Sequence, residues 1–356
     1  MAYLQRASEL YISKNPEGTF NTPVTTGSSF LKATNPNTVA LYPELEKRTD
    51  QGRAGSEFAS TQCNTYWIPP AVSIADEADF DLYSRLSLRG VGGTVTDTTV
   101  VSSAAYKHSA PMLAASSGLQ LPGSTVITTI SGSGATWLYA GCVVNQMRMS
   151  QDGTNPVQIG FELLGTGKHR TPHAVTSLPS TPSFSCLSPY AFVSFNNGSA
   201  QDLATNCQVR SWSIELANNH NPTDDRCIGD TQQIRGDYTT TSGTSASPYV
   251  ASLNHGDRTV TAEVTVLLDS SLTWWQNMAD NTALTNITFG VRGAVLDAAG
   301  PTYQYLKWII PNGYISRVQQ VDSNGKAAVN LQFQPTTTST SILTVEVVNA
   351  TASSFS

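Results

Sequence analysis

The sequence predicts a mainly β fold, with two tandem modules, each a twisted antiparallel sheet with a short flanking α-helix, and an irregular N-terminal arm. Three observations carry this. Only 13% of residues are charged while 39% are hydrophobic. The usual quarter of charged residues is replaced by Thr, Ser, Asn, Gln and Gly, which suit turns and sheet faces wetted without charge. Short segments rich in Val, Ile, Thr and Tyr alternate polar and apolar residues between Gly or Asn-Pro turns. Finally, an eight-residue pattern occurs twice. At 356 residues the chain fills about two domains, read as an arm over 1–60, a first module over 61–175 and a second over 176–356.

In the arm, Pro16, Gly18, Pro23, Gly27, Pro36 and Pro43 interrupt every apolar run. One short strand at 9–13 puts Leu10 and Ile12 on one face, which only another surface can bury. An arm of this kind packs on a partner or a neighbouring copy. Residues 79–88 fit helix and strand equally, and Gly90-Val91-Gly92-Gly93 ends them. A helix is expected from Ser109 as cap, through Pro111 in its first turn, to Gly118 as left-handed stop, with Met112, Leu113 and Ala115 inward. Strands follow at 124–130, 135–140, 142–150 and 156–164.

The internal repeat sets Cys142-Val143-Val144-Asn145-Gln146-Met147-Arg148-Met149 against Cys207-Gln208-Val209-Arg210-Ser211-Trp212-Ser213-Ile214. Apolar positions two, five and seven places after each cysteine agree. A second alternating strand follows each copy, through Val157, Ile159, Phe161 and Leu163 in one and Val260, Ala262, Val264 and Val266 in the other.

Between the second pair lies a polar insertion, 217–256, far longer than hairpin loops of about 2–5 residues. Tyr238, Pro248, Tyr249 and Val250 give it something to bury, so it reads as a protruding loop that docks on another subunit. A helix at 271–279, capped by Asp269 or Ser270, turns Leu272, Trp275 and Met278 to one side. Strands at 286–292, 305–310, 327–334 and 342–348 complete the module.

The same residues argue against several functions. A net charge of −6, with 20 Lys+Arg against 26 Asp+Glu and no basic run, offers no cluster to neutralise phosphates, so DNA is not bound tightly. No long apolar stretch follows the first residues, so neither a signal peptide nor a membrane span is expected, and the protein reads as soluble and made in the cytosol. Five widely spaced cysteines without a C-x-x-C pair read as reduced, with Cys142 and Cys207 buried in strands as small hydrophobes. Ser131-Gly132-Ser133-Gly134 lacks the frame of a nucleophile elbow. His169 and His173 are spaced like a metal pair, but Pro172 lies between them and no acid completes a site. Gly90 to Gly93 lacks the Lys-Ser/Thr ending of a phosphate loop. No catalytic, metal or cofactor-binding residue is assigned, and no cofactor is expected.

Several landmarks carry a family resemblance. Leu10-Tyr11-Ile12 is followed by Glu17-Gly18-Thr19-Phe20. A strand runs over 141–149, and Trp212-Ser213-Ile214-Glu215-Leu216-Ala217-Asn218-Asn219 ends in paired asparagines. Val329-Asn330-Leu331-Gln332-Phe333 and a strand at 343–348 close the chain. Together they resemble the double-module tail tube proteins (major tail proteins) of long non-contractile phage tails, over nearly the whole chain. Asn21 stands where the family's glycine after the aromatic is expected.

The resemblance implies a non-enzymatic virion subunit, synthesised in the host cytoplasm, made of two tandem antiparallel β-sandwich or barrel tube modules whose sheets join into a continuous wall around a lumen. It implies trimeric rings with pseudo-sixfold symmetry, stacked into a tube that conducts DNA during ejection without binding it. Tape measure and terminator proteins are the other expected partners. Residues alternating with the apolar face are the lumen-facing candidates: Gln146 and Arg148, Gln158 and Glu162, Ser211, Ser213 and Glu215, and Thr261, Glu263 and Thr265. Taken singly, each is equally an ordinary solvated sheet residue. Tyr238, Pro248, Tyr249 and Val250 are the ring-contact candidates. Two alternatives stand beside this reading. One is a virion adhesin or carbohydrate-binding module using the Trp274-Trp275 pair, and the other is a capsid-decorating or tail-completion protein.

Overall fold

A computed structural model describes residues 8–33, 36–40, 44–50, 60–68, 71–101, 104–113, 120–130, 136–166, 168–170, 175–181, 191–195, 199–202, 209–220, 255–268, 273–298, 300, 302–336 and 341–351. The alternation of Leu10 and Ile12 forms β1 (Ser8–Ser13), and both side chains are fully buried. A turn of 3-10 helix at Gly27–Ser29 leads to β2 (Phe30–Lys32), which pairs back on β1. Residues 8–33, expected within an irregular arm, thus pack on their own chain, where Leu10 and Ile12 join its main core. Next come β3 (Pro36–Ala40), the hairpin β4 (Glu44–Asp50) and β5 (Ser60–Ile68), and β6 (Ala71–Glu77).

Helix α1 (Leu82–Val91) resolves the segment that fitted helix and strand equally. The Asp79 carboxylate accepts from the N–H groups of Asp81 (3.0 Å) and Tyr83 (2.8 Å), satisfying donors that a helix start leaves open. Gly92, at φ 74°, supplies the left-handed stop and donates to the Leu88 carbonyl. Every residue of α1 is buried, including Ser84, Arg85, Ser87 and Arg89. A helix buried all round, with its polar groups bonded inside, leaves no apolar stripe to read.

Where the expected helix would start, Ser109 to Pro111 are strand, and residues 114–118 of that expectation lie outside the described residues. β7 (Thr96–Val101) and β8 (Ala105–Pro111) form a hairpin instead, in which Ser109 lies opposite Thr96. Here buried His108 and Ala110 flank half-buried Ser109, a period of two. A cap signal is worth about 1 kcal/mol, less than a full ladder with its burial. Pro111 ends the strand, where its missing N–H is tolerated.

β9 (Ser124–Ile130) follows, and then the two strands predicted at 135–140 and 142–150 run together as β10 (Thr136–Asp152). Gly141, at φ 68°, kinks it where the β9 ladder shifts between Tyr139 and Cys142. After it come β11 (Gln158–Leu164), β12 (His169–Arg170), β13 (Ala191–Phe195) and β14 (Ser199–Asp202). β15 (Val209–Ala217) and β16 (Thr259–Leu267) flank the long insertion. Helix α2 (Thr273–Ala279) falls where a helix was expected, with Trp275 and Met278 against the core. β17 (Leu284–Asp297), β18 (Thr302–Ser323), β19 (Lys326–Pro335) and β20 (Thr344–Asn349) finish the chain.

All ladders are antiparallel. One path runs through eight strands, β3, β6, β11, β10, β15, β16, β19 and β18. The first half of β10 also pairs with β9 and β12, β9 pairs with β1, and β1 with β2. The first half of β18 pairs in the same way with β17 and β20, β17 with β13, and β13 with β14. The order β1, β2, β3, β6, α1, β9, β10, β11, β12 therefore recurs, ladder for ladder, as β13, β14, β15, β16, α2, β17, β18, β19, β20. Even an irregularity recurs: the β10–β11 ladder shifts between Val144 and Gln146, and the β18–β19 ladder between Ile315 and Arg317.

The eight-residue copies found in the sequence are not counterparts in this recurrence. They lie in β10 and β15, which are neighbours in one sheet with Met149 opposite Ile214. Adjacent strands that cover one core share an in-and-out pattern, and that produces the agreement.

Candidate functional site

Along the eight-strand path, alternation divides two faces. Met147, Met149, Ile159, Phe161, Trp212, Ile214, Leu216, Val260, Ala262 and Val264 are buried on one. Helix α1 lies on that side, where Gly90 meets the Met147 sulfur and Val144 so closely that a Cβ would sit 2.7 Å from the sulfur. The other face carries all ten residues expected on the polar face, each half-buried or exposed.

The pairings bring these residues together in rows. Ser73, Glu162, Gln146 and Ala217 lie side by side, as do Gly160, Arg148, Glu215 and Thr261. A third row runs Glu77, Gln158, Ser150, Ser213, Glu263, Gln332 and Arg317, and a fourth Asp152, Ser211, Thr265, Asn330 and Gln319. Side chains bridge the strands: Gln146 donates to Glu215 (2.6 Å), Asn145 to Glu162 (3.0 Å), Ser213 to Glu263 (3.2 Å) and Asn330 to Thr265 (3.3 Å). A shallow groove of about 290 Å³ crosses the face past Arg148, Asp152, Gln158, Glu263 and Asn330. These rows contain no aromatic side chain, and their acids, Glu77, Asp152, Glu162, Glu215 and Glu263, outnumber Arg148 and Arg317.

Sequence reasoning missed Ser73, Glu77, Arg317, Gln319, Asn330 and Gln332. The same alternation along β6, β18 and β19 identifies them once those strands are known to continue the path. Tyr238, Pro248, Tyr249 and Val250 lie outside the described residues, as does the side chain of Trp274.

Two buried polar nodes hold the sheet in shape. The paired asparagines end β15. Asn218 is fully buried and donates to the carbonyls of Gly90 (3.0 Å) and Val144 (2.8 Å), while Asn219 takes a left-handed φ of 51°. Arg258 donates to Asn218 Oδ1 (2.6 Å) and to the carbonyls of Gly90 (2.7 Å), Val91 (3.1 Å) and Leu113 (3.1 Å). This satisfies the carbonyls at the end of α1, and burial lowers the guanidinium pKa to about 10.

The second node surrounds Glu17, whose carboxylate accepts from the Gly141 N–H (3.0 Å) and the Thr125 hydroxyl (2.8 Å). Burial pushes this carboxyl above its ordinary range, against the pull of those hydrogen bonds. Asn21, the departure from the expected glycine, has a φ of 63° and accepts from the Thr166 hydroxyl at 2.7 Å. The position demands a left-handed backbone, which asparagine tolerates best after glycine. Cys142, expected as a small buried hydrophobe, is one, and burial raises its thiol pKa. Cys207 lies outside the described residues.

Among the described residues, no group of three or more His, Cys, Asp or Glu is placed to hold a metal ion, and no helix is long and apolar enough to cross a membrane. A mainly antiparallel sheet with one broad, polar, predominantly acidic face and a helix behind it defines a structural β protein. More particularly, the chain belongs to the phage tail tube protein family, whose model matches residues 2–335. It is a structural subunit of the phage tail, and the virion tail is its location. A comparison with curated proteins finds no match.

Proposed function

We propose that three chains close into a ring of pseudo-sixfold symmetry, and that stacked rings form a hollow tube through which DNA passes on ejection. The single observation that carries this reading is the continuous polar face that runs from β6 to β18 along the strand path. In a closed wall with helices outside, that face lines the channel. Its rows lack stacking aromatics and carry more acids than bases, so a duplex meets repulsion rather than a binding surface. The recurrence of ladder order supports two equivalent halves per chain, and hence six units from three chains.

Dimensions favour three chains over six. Eight strands per chain become twenty-four in a ring of three. At about 4.8 Å between strands and a tilt of about 40°, these give a wall about 48 Å across, or about 35 Å clear of side chains. Six chains would double the wall to about 96 Å, far wider than one duplex needs.

The insertion 217–256, with Tyr238, Pro248, Tyr249 and Val250, supplies contacts between rings. Its counterpart in the first half is the segment between β3 and β6, which contains the β4–β5 hairpin. Tape measure and terminator proteins complete the tail. Native mass measurement of isolated rings tests the stoichiometry. Three chains per ring is the expected result, and six would contradict it.

A further inference from the structure

The eight-strand path has two ends. Among the described residues, β3 forms a ladder only with β6, and β18 from Tyr314 to Ser323 forms a ladder only with β19. The corresponding stretch of β10 is paired on both sides, by β11 and by β15. The difference is visible in burial. Met147 and Met149 are fully buried, whereas Val318 and Gln320, their counterparts, are half-buried and exposed. The β18 edge is thus long, exposed and uncharged except for Arg317 and Asp322, the kind of edge that pairs with another strand unless it is covered.

We propose that this edge pairs with β3 of a second copy of the chain, repeating between chains the β10–β15 joint found within one. The proposal rests on the ring reading above and names the strands that close it. The register follows from the recurrence. The ladder shifts align Gln146 with Arg317, so Arg148, Met149 and Ser150 correspond to Gln319, Gln320 and Val321. On the other side, Leu163 lies opposite Val72 and Phe333 opposite Ala262, each just before its shift. Val39 lies opposite Val72 and Ile214 opposite Ala262, so Val39 corresponds to Ile214, Thr38 to Ser213 and Ala40 to Glu215. Within the chain, Arg148 pairs with Glu215, Met149 with Ile214 and Ser150 with Ser213. Between chains, Gln319 then pairs with Ala40, Gln320 with Val39 and Val321 with Thr38.

No loop or ligand is needed for this joint, because backbone N–H and C=O groups supply it, as in β-augmentation. Directly opposed residues hold their Cβ atoms about 4.5–5.5 Å apart, which is close to the span of a disulfide. The test is oxidation of two double variants, Gln320→Cys with Val39→Cys and Gln319→Cys with Ala40→Cys. Gln320→Cys with Asn37→Cys is the off-register control, and each single variant sets the background from native thiols. The same samples are imaged for rings or tubes. The expected result is covalent dimers and closed trimers on a non-reducing gel for at least one in-register pair, well above the control and the single variants.

Rings that form while neither in-register pair crosslinks above the control overturn the proposed joint and leave the tube reading standing. Crosslinking strongest at the Asn37 control overturns the register. Absence of rings and tubes in the unmodified protein overturns the tube reading itself, and this joint with it.

Discussion

Replacing Asn218 by alanine removes the most connected polar side chain of the sheet. It deletes two donated hydrogen bonds, to the carbonyls of Gly90 and Val144, and the acceptor for Arg258 at 2.6 Å. Gly90 keeps its bond from Arg258, but Val144 loses this donor and the Arg258 Nε–H is left without its acceptor in a half-buried site. Each neutral loss costs about 1 kcal/mol and a charged group left unsatisfied about 2–3 kcal/mol. The expected destabilisation is therefore about 3–5 kcal/mol. Denaturant unfolding of the unassembled protomer measures it, as a lower midpoint with an unchanged slope. Asn219→Ala, beside it, gives up one exposed bond to the Asp257 carbonyl and a favourable left-handed residue, about 1–2 kcal/mol in all. A loss below about 1 kcal/mol for Asn218→Ala, or a larger loss for Asn219→Ala, would refute the reasoning from buried donors and acceptors.

Three further outcomes are expected. Gly141→Ala forces a Cβ to 2.1 Å from Asn21 Oδ1 at a φ of 68°, costing about 1–2 kcal/mol for the backbone and about 1–3 for overpacking. A melting temperature unchanged from the parent would count against this. The Glu17 carboxyl is raised above its ordinary 4.5, so the folded chain holds that proton more tightly than the unfolded one. Stability from this group is greatest below about pH 4.5 and is lost as the pH rises through the folded value. Glu17→Gln should flatten that part of the stability–pH curve, and parallel curves would show that Glu17 does not cause it. In the lumen, replacing Glu162, Glu215 and Glu263 together by Lys should slow DNA ejection at low salt, with relief at high salt as counterion release predicts. Particles that assemble and eject at the parental rate in low salt would remove this face from the channel.

The sequence carried the fold class and most strands because strict alternation, as in Val260, Ala262, Val264 and Val266, is a local signal. Cap signals are also local, and at Ser109 they pointed to a helix that the neighbouring ladders of β7 and β20 override. Helix α1 was ambiguous for the opposite reason. Its Arg85 and Arg89 side chains are buried because carbonyls of Ser13 and Lys14, some seventy residues away, accept from them. The polar face was legible strand by strand, but its extent depends on which strands are neighbours, so Asn330 and Gln332 were not included. The eight-residue repeat lies in β10 and β15, which are sheet neighbours, whereas the recurring feature is the order of ladders, which no short motif records. Asn21 looked like a departure until its backbone showed why asparagine can stand in a glycine's place.

The central claim is that the acidic polar face lines a channel built from three chains per ring. A reconstruction of purified tubes by electron microscopy, at a resolution that traces side chains, tests it most directly. The account predicts Glu162, Glu215 and Glu263 pointing into a lumen about 35 Å wide, with a true threefold and a pseudo-sixfold axis. A map with that face turned outward, or with six complete chains in each ring, would contradict it.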